Sequence, residues 1–251
     1  LPFPEEMNRR LTGVLSDLHF APTTRARDNL LREGVASDTI FVTGNTVIDA
    51  LKTTVKEDFK FTTPALKALN FQEKRLVLVT AHRRENLGSP LEQICLGILD
   101  LVEYDKDIYV VYPVHPNPLV QETANSILGN HERILLLPPI DTDEMHNLMS
   151  LSYMVMTDSG GLQEEAPSLG KPVLVLRTET ERPEAVEAGT VKILGTDRQK
   201  IFNTAKRLLD NPGAYEKMAN AVNPYGDGLA SKRIADALLY HFGRQDKAPK
   251  E

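Results

Sequence analysis

Apolar residues in this chain fall into short continuous runs separated by stretches with helical spacing. Residues 76–79 (Leu-Val-Leu-Val) form the strongest run, and further runs stand at 108–112, 134–137, 154–156, 173–176 and 191–194. Apart from Lys192 in the last, they are continuous rather than alternating, the pattern of strands buried on both faces of a parallel sheet. Helices fit between them. Leu91, Ile94, Cys95, Ile98, Leu99 and Val102 make one apolar stripe, with Ser89 and Pro90 where an N-cap and first-turn proline belong. This alternation predicts a doubly wound α/β domain over residues 46–228. The first 45 residues read as a helix carrying Met7, Leu11, Val14 and Leu15, a strand at 18–20, a helix at 25–34 and a strand at 40–42. Residues 1–45 are therefore expected to be the C-terminal remnant of another α/β domain, with Thr43-Gly44-Asn45 as hinge. In the segment 229–251 a last helix, from Ser231, is expected to cross back to that first domain.

Composition changes this picture little. The chain has 251 residues, 41% hydrophobic and 25% charged, enough for one large or two modest domains. Its net charge of −6 gives no global basic field, which argues against nucleic acid and membrane surfaces as partners. An anionic ligand would need a local cluster of cations. No apolar run approaches the roughly 18 residues of a membrane span, and no export signal stands at the start. The single cysteine, Cys95, cannot form an internal disulfide and fits a reducing cytoplasm. Its place on the helical stripe reads as core rather than nucleophile. The opening Leu-Pro-Phe-Pro-Glu-Glu reads like mid-chain sequence, so the chain is expected to begin partway along its natural length.

Candidate chemistry gathers in the loops that follow the strands. Thr157-Asp158-Ser159-Gly160-Gly161-Leu162-Gln163-Glu164-Glu165 leaves a strand and opens a helix. Two glycines there admit a ligand close to the backbone, and a helix N-terminus suits phosphate. A carboxylate one turn on can accept from ribose hydroxyls. A tight turn without ligand would read the same way. Asp-Ser-Gly-Gly also surrounds the nucleophile of chymotrypsin-like proteases, but a disulfide-free α/β chain does not support that role for Ser159. Ala81-His82-Arg83-Arg84-Glu85-Asn86 follows the strongest strand, and a histidine with two arginines can clamp phosphate. A solvated loop with an Arg–Glu pair is the alternative. His115 lies among prolines in Pro113-Val114-His115-Pro116-Asn117-Pro118, and Arg177 and Arg182 end another strand. These loops should converge on one sheet edge and supply the cations that the acidic composition withholds. His19, His131, His146 and His241 lack such settings, and no residue set has convincing metal-ligand spacing.

Taken together, Pro-Phe-Pro-Glu-Glu-Met-Asn-Arg (2–9), Phe-Val-Thr-Gly-Asn-Thr-Val-Ile-Asp-Ala-Leu (41–51), Ala-His-Arg-Arg-Glu-Asn (81–86), Tyr-Pro-Val-His-Pro-Asn-Pro (112–118), the 157–170 segment, Glu-Arg-Pro-Glu-Ala-Val-Glu-Ala-Gly-Thr (181–190) and Asn-Pro-Tyr-Gly-Asp-Gly (223–228) closely resemble the non-hydrolysing bacterial UDP-N-acetylglucosamine 2-epimerases. The resemblance implies two Rossmann-like domains of glycosyltransferase-B type, the first incomplete here, with the nucleotide sugar in the cleft. It implies interconversion of UDP-GlcNAc and UDP-ManNAc through loss of the C2 proton, expulsion of UDP to leave 2-acetamidoglucal, and re-addition. It implies a homodimer and no metal or nicotinamide cofactor.

Carried over by matching motif, His82 is the active-site histidine near the diphosphate and Glu5 a catalytic carboxylate. Ser159, Gly160 and Gly161 match the diphosphate loop, Glu165 the ribose ligand and Arg182 a further UDP contact. Ile140 and Met145 fall on the uracil side. Glu5, Arg83 and His115 match residues of a second, activating UDP-GlcNAc site. Where the family often reads Arg-Asp-Thr-Thr-Glu-Arg-Pro, Thr178 and Glu179 stand at the second and third positions here. The family's N-terminal phosphate loop, with a further catalytic Asp and Glu, has no counterpart in this sequence. The chain alone is therefore expected to bind UDP weakly and not to epimerise. A glycosyltransferase of the same architecture and a non-catalytic nucleotide-sugar sensor would share the UDP residues and remain alternatives.

Overall fold

The computed structural model describes residues 4–71 and 74–248. It divides into two units, Leu1–Lys52 with Pro224–Glu251, and Thr53–Asn223. The division falls after Lys52 rather than at Thr43-Gly44-Asn45, because those residues are tied into the smaller unit. The Asn45 N–H donates to the Tyr225 carbonyl at 2.7 Å. A Cβ on Gly44 would come within 3.3 Å of the Gly226 Cα, so the two backbones meet where only glycines fit.

In the smaller unit the helix Glu5–Leu15 leads to β1 (His19–Ala21), the helix Thr24–Arg32 and β2 (Ile40–Val42). The strands pair in parallel, His19 opposite Ile40 and Ala21 opposite Val42, as a crossover through a helix requires. Thr23 caps the intervening helix by accepting from the Ala26 N–H at 3.1 Å. The last helix, Ala230–His241, has no cap from its own side chains. Asp49 supplies one from the helix Thr46–Thr54, accepting from the Ala230 and Ser231 N–H groups at 3.0 and 2.8 Å.

The larger unit is built on β3 (Arg75–Thr80), β4 (Ile108–Pro113), β5 (Ile134–Leu137), β6 (Met154–Thr157), β7 (Val173–Val175) and β8 (Val191–Ile193). All pair in parallel, in the order β5-β4-β3-β6-β7-β8. The chain starts in the middle of the sheet, steps outward to β5, then crosses back to β6 and steps out the other way. This is the doubly wound order, in which the progression reverses between β3 and β6.

The helix Ser89–Tyr104 buries the expected stripe, including Leu91, Ile94, Cys95 and Ile98. Each buried Leu or Ile contributes about 1.5–3 kcal/mol relative to exposure. Ser89 is not the N-cap. Gly88, at φ 78°, holds that place, and Ser89 opens the helix with Pro90 in its first turn. Burial pushes the Cys95 thiol up to about 12, which leaves it a core residue. Among the described residues no helix is long and apolar enough to cross a membrane.

Candidate active site

Where β3 and β6 lie side by side, their carboxyl ends open the crevice in which ligands of doubly wound sheets bind. The last residues of the two strands are in register, and the Thr80 and Thr157 hydroxyls join at 2.6 Å. Two loops leave from here, 81–86 and 158–161. Asp158, fully buried, ties them together. Its Oδ2 accepts from the His82 N–H at 2.7 Å, the Arg83 N–H at 2.7 Å and Asn86 Nδ2 at 3.0 Å. Asn86, itself buried, also donates to the Leu176 carbonyl at 3.0 Å and so holds the loop after β7. The Tyr112 hydroxyl donates to the Ala81 carbonyl at 2.5 Å, bringing in β4. Burial keeps that phenol protonated, well above its ordinary range. Neither Asp158 nor Asn86 stands out from its motif by residue type alone. In sequence they are only a carboxylate two residues before the diglycine and an amide at the end of the 81–86 loop.

The helix Gly160–Ser168 starts with Ser159 as N-cap, and no side chain caps its first turn. The Ser159 N–H is taken by the Thr157 hydroxyl at 2.9 Å. A Cβ on Gly160 would lie 3.5 Å from the Arg182 guanidinium, and one on Gly161 would lie 3.3 Å from Glu165 Oε1. Arg182 and Glu165 thus converge on the diglycine. Their proximity leaves a surface of backbone N–H groups, a guanidinium and a carboxylate, suited to a phosphate joined to a hydroxylated sugar. Arg182 is held by an ion pair to the buried Glu164.

Glu165 is backed by His146, whose Nε2 lies 3.6 Å from Glu165 Oε2 and whose Nδ1 meets the Thr54 hydroxyl at 2.8 Å. His146 was given no role from sequence, because nothing near it in the chain marks it. Its partners come from other elements. Met145 is half-buried in the same helix, Thr142–Leu151, and Ile140 is half-buried just before it. The neighbouring Glu144 is buried and accepts from the Thr63 N–H at 2.8 Å and the Thr62 hydroxyl at 3.0 Å. Burial alone would raise its carboxyl, but the hydrogen bonds from Thr63 and Thr62 outweigh it and hold the group below its ordinary value of 4.5.

His82 and His115 stack, with ring centroids 5.0 Å apart. The Arg83 Nε donates to the Asp158 carbonyl at 3.2 Å. Arg177 is less available than its sequence position suggested. It pairs with Glu85 at 2.9 Å and Glu181 at 2.8 Å. Hydrogen bonding to Glu181 raises its pKa further, and the same bond lowers that of Glu181. Glu5 belongs to the smaller unit, exposed in the first turn of its helix.

Comparison with known proteins gives consistent results. A family model described as UDP-N-acetylglucosamine 2-epimerase matches residues 1–239. The chain is 53% identical over 248 residues to the UDP-N-acetylglucosamine 2-epimerase of Bacillus subtilis, covering 99% of this chain and 64% of that protein. It resembles the UDP co-structure of S. aureus MnaA with a TM-score of 0.92 at 50% identity, covering 100% of this chain and 67% of that one. It also resembles the Neisseria meningitidis UDP-GlcNAc 2-epimerase bound to UDP-GlcNAc, with a TM-score of 0.86 at 48% identity, covering 95% of this chain and 65% of that one. The chain spans about 65% of the length of the relatives that it matches.

Proposed function

Since the chain belongs to the UDP-N-acetylglucosamine 2-epimerase family, we propose that its protein interconverts UDP-GlcNAc and UDP-ManNAc, and that the larger unit binds the UDP. On this reading the larger unit is one of two Rossmann-like domains of glycosyltransferase-B type. The parallel pair β1–β2 belongs to the other. The observation that carries the proposal is the convergence of Arg182 and Glu165 on the diglycine at the β3/β6 reversal.

The diphosphate lies on the helix N-terminus at Ser159, Gly160 and Gly161, with Arg182 and His82 beside it. Glu165 takes the ribose hydroxyls, and the base lies toward Ile140 and Met145. In the first half-reaction the C2–H bond breaks and its proton goes to a base. The C1–O bond breaks and its electron pair leaves with UDP, giving 2-acetamidoglucal. In the second half, UDP oxygen rejoins C1 and a proton reaches the opposite face of C2. Cations and helix N–H groups help by stabilising the charge that builds on the departing diphosphate. Glu5 is a proton-transfer carboxylate in this scheme. By the family resemblance, Arg83 and His115 serve a second, activating UDP-GlcNAc, and the protein works as a homodimer.

Proton NMR of UDP-GlcNAc in D2O with the full-length gene product tests the reaction. UDP-ManNAc with deuterium at C2 is expected. Free UDP without UDP-ManNAc would instead indicate hydrolysis or transfer to an acceptor, and an unchanged sugar would favour a sensor. Calorimetry of this chain with UDP tests the site separately. His82→Ala should weaken binding about 10- to 100-fold, the worth of one charge-assisted hydrogen bond.

A further inference from the structure

Asp158 presents an imbalance. One of its carboxylate oxygens has three donors, while the other, Oδ1, is buried and has no hydrogen-bond partner. A buried carboxylate oxygen left bare is costly, and native proteins rarely leave one without a reason. His82 Nε2 faces it at 3.9 Å. That gap is too long for a hydrogen bond, and a small swing of the His82 ring would close it. The His82 side chain is 36% exposed, so one side of the ring looks outward while Nε2 looks toward Asp158.

Other charged and titratable groups also face the pair, and the Asp158 charge acts on the Tyr112 phenol, which donates to the Ala81 carbonyl. His115 stacks on the face of the His82 ring, and Arg83, next in the chain, places its guanidinium on the Asp158 backbone carbonyl rather than on the carboxylate.

We propose that Asp158 is a positioning residue for His82: its Oδ2 fixes the loop that carries the ring, and its Oδ1 receives the Nε2–H of the protonated ring, so that His82 meets the diphosphate as a cation. This rests on the reading of the site as a UDP site. The chemistry is that of a carboxylate orienting a histidine and favouring its charged form. It also gives the anion loop and its cation a common anchor, because Asp158 directly precedes Ser159 and Gly160. The phosphate cradle and the imidazole then cannot drift apart without breaking the same hydrogen bonds.

Asp158→Asn separates the two roles. The amide oxygen can take the place of Oδ2 and keep the three donors. The amide nitrogen then falls at the Oδ1 position and points a donor at Nε2, which disfavours the protonated ring. The expected result has two parts. In ligand-free protein, the NMR titration of the His82 ring moves to lower pH. At pH 7, affinity for UDP falls at least tenfold while affinity for uridine, which lacks phosphates, is unchanged. An unmoved ring titration, or an equal loss for uridine and UDP, overturns the proposal. If the wild-type chain binds neither ligand, the UDP reading fails, but the ring titration still decides whether Asp158 controls His82. Should the Asn variant not fold, Asn86→Ala tests the pair from the other side. Removing a donor from Oδ2 leaves more of the carboxylate charge to His82, so the ring titration should move to higher pH, and no movement overturns the proposal.

Discussion

At Gly161 one methyl group is enough to disturb a functional contact. A Cβ there would lie 3.3 Å from Glu165 Oε1, so the glutamate must give way just where the ribose is proposed to sit. Gly161→Ala is expected to lower UDP affinity about tenfold, equivalent to roughly 1.4 kcal/mol, with little change in melting temperature. Titration calorimetry beside a thermal melt would show it. Residue chemistry at this site was partly legible in the sequence. The diglycine, His82 and Glu165 announce themselves as residue types that suit a phosphate and a sugar. His146 does not, since its role depends on reaching both Thr54 and Glu165. His146→Phe should keep the fold and loosen Glu165, weakening UDP about 2- to 5-fold, the usual worth of one weak polar contact of this length. Binding as tight as wild type would show that Glu165 needs no support.

Helices and strands depend on contacts that their own sequences only partly specify. The stripe of Ser89–Tyr104 predicted a buried helix, but not the tight fit at Gly97. A Cβ on Gly97 would come within 3.0 Å of the Arg198 carbonyl and 3.1 Å of Ile201 Cγ2, so this glycine sets how closely the helix Arg198–Asp210 packs. Gly97→Ala should destabilise the larger unit by about 1–3 kcal/mol through overpacking, despite the better helix propensity of alanine. Urea unfolding would measure it. In the smaller unit, Asp49 performs for the helix Ala230–His241 the task usually done by its own N-cap. Asp49→Ala should cost about 0.5–2 kcal/mol. Hydrogen exchange is expected to rise at Ala230 and Ser231 first.

The molecule as a whole carries a charge of −6, yet its candidate site is framed by cations. The folded structure decides which of them remain available. Arg177 is drawn into pairs with Glu85 and Glu181, and Arg182 keeps one side of its guanidinium on Glu164. Acid should act on the larger unit through Glu144. Its folded pKa is below 4.5, so its stabilising contribution is complete above 4.5 and is lost as pH falls through the depressed value. Glu144→Gln places an amide opposite the Thr62 and Thr63 donors, with an estimated cost of ~1–3 kcal/mol at neutral pH. The difference in melting temperature between variant and wild type should shrink as pH drops below 4.5. A constant difference would show that the charge on Glu144 is not what holds the 62–63 turn.

Continuous apolar runs determined the inner parallel strands, because a strand buried on both faces must be apolar at successive positions, whereas the edge strand β8 carries the exposed Lys192. Motif order and residue type likewise determined the family resemblance and most of the candidate site. Strand order was a matter for the tertiary structure. Setting β6 beside β3 brings Asp158 to the His82 N–H, a contact between residues 76 positions apart in sequence. Local periodicity records only whether a position is buried. Which buried carboxylate lies under which histidine depends on how the whole sheet is wound, and no spacing within either loop encodes it.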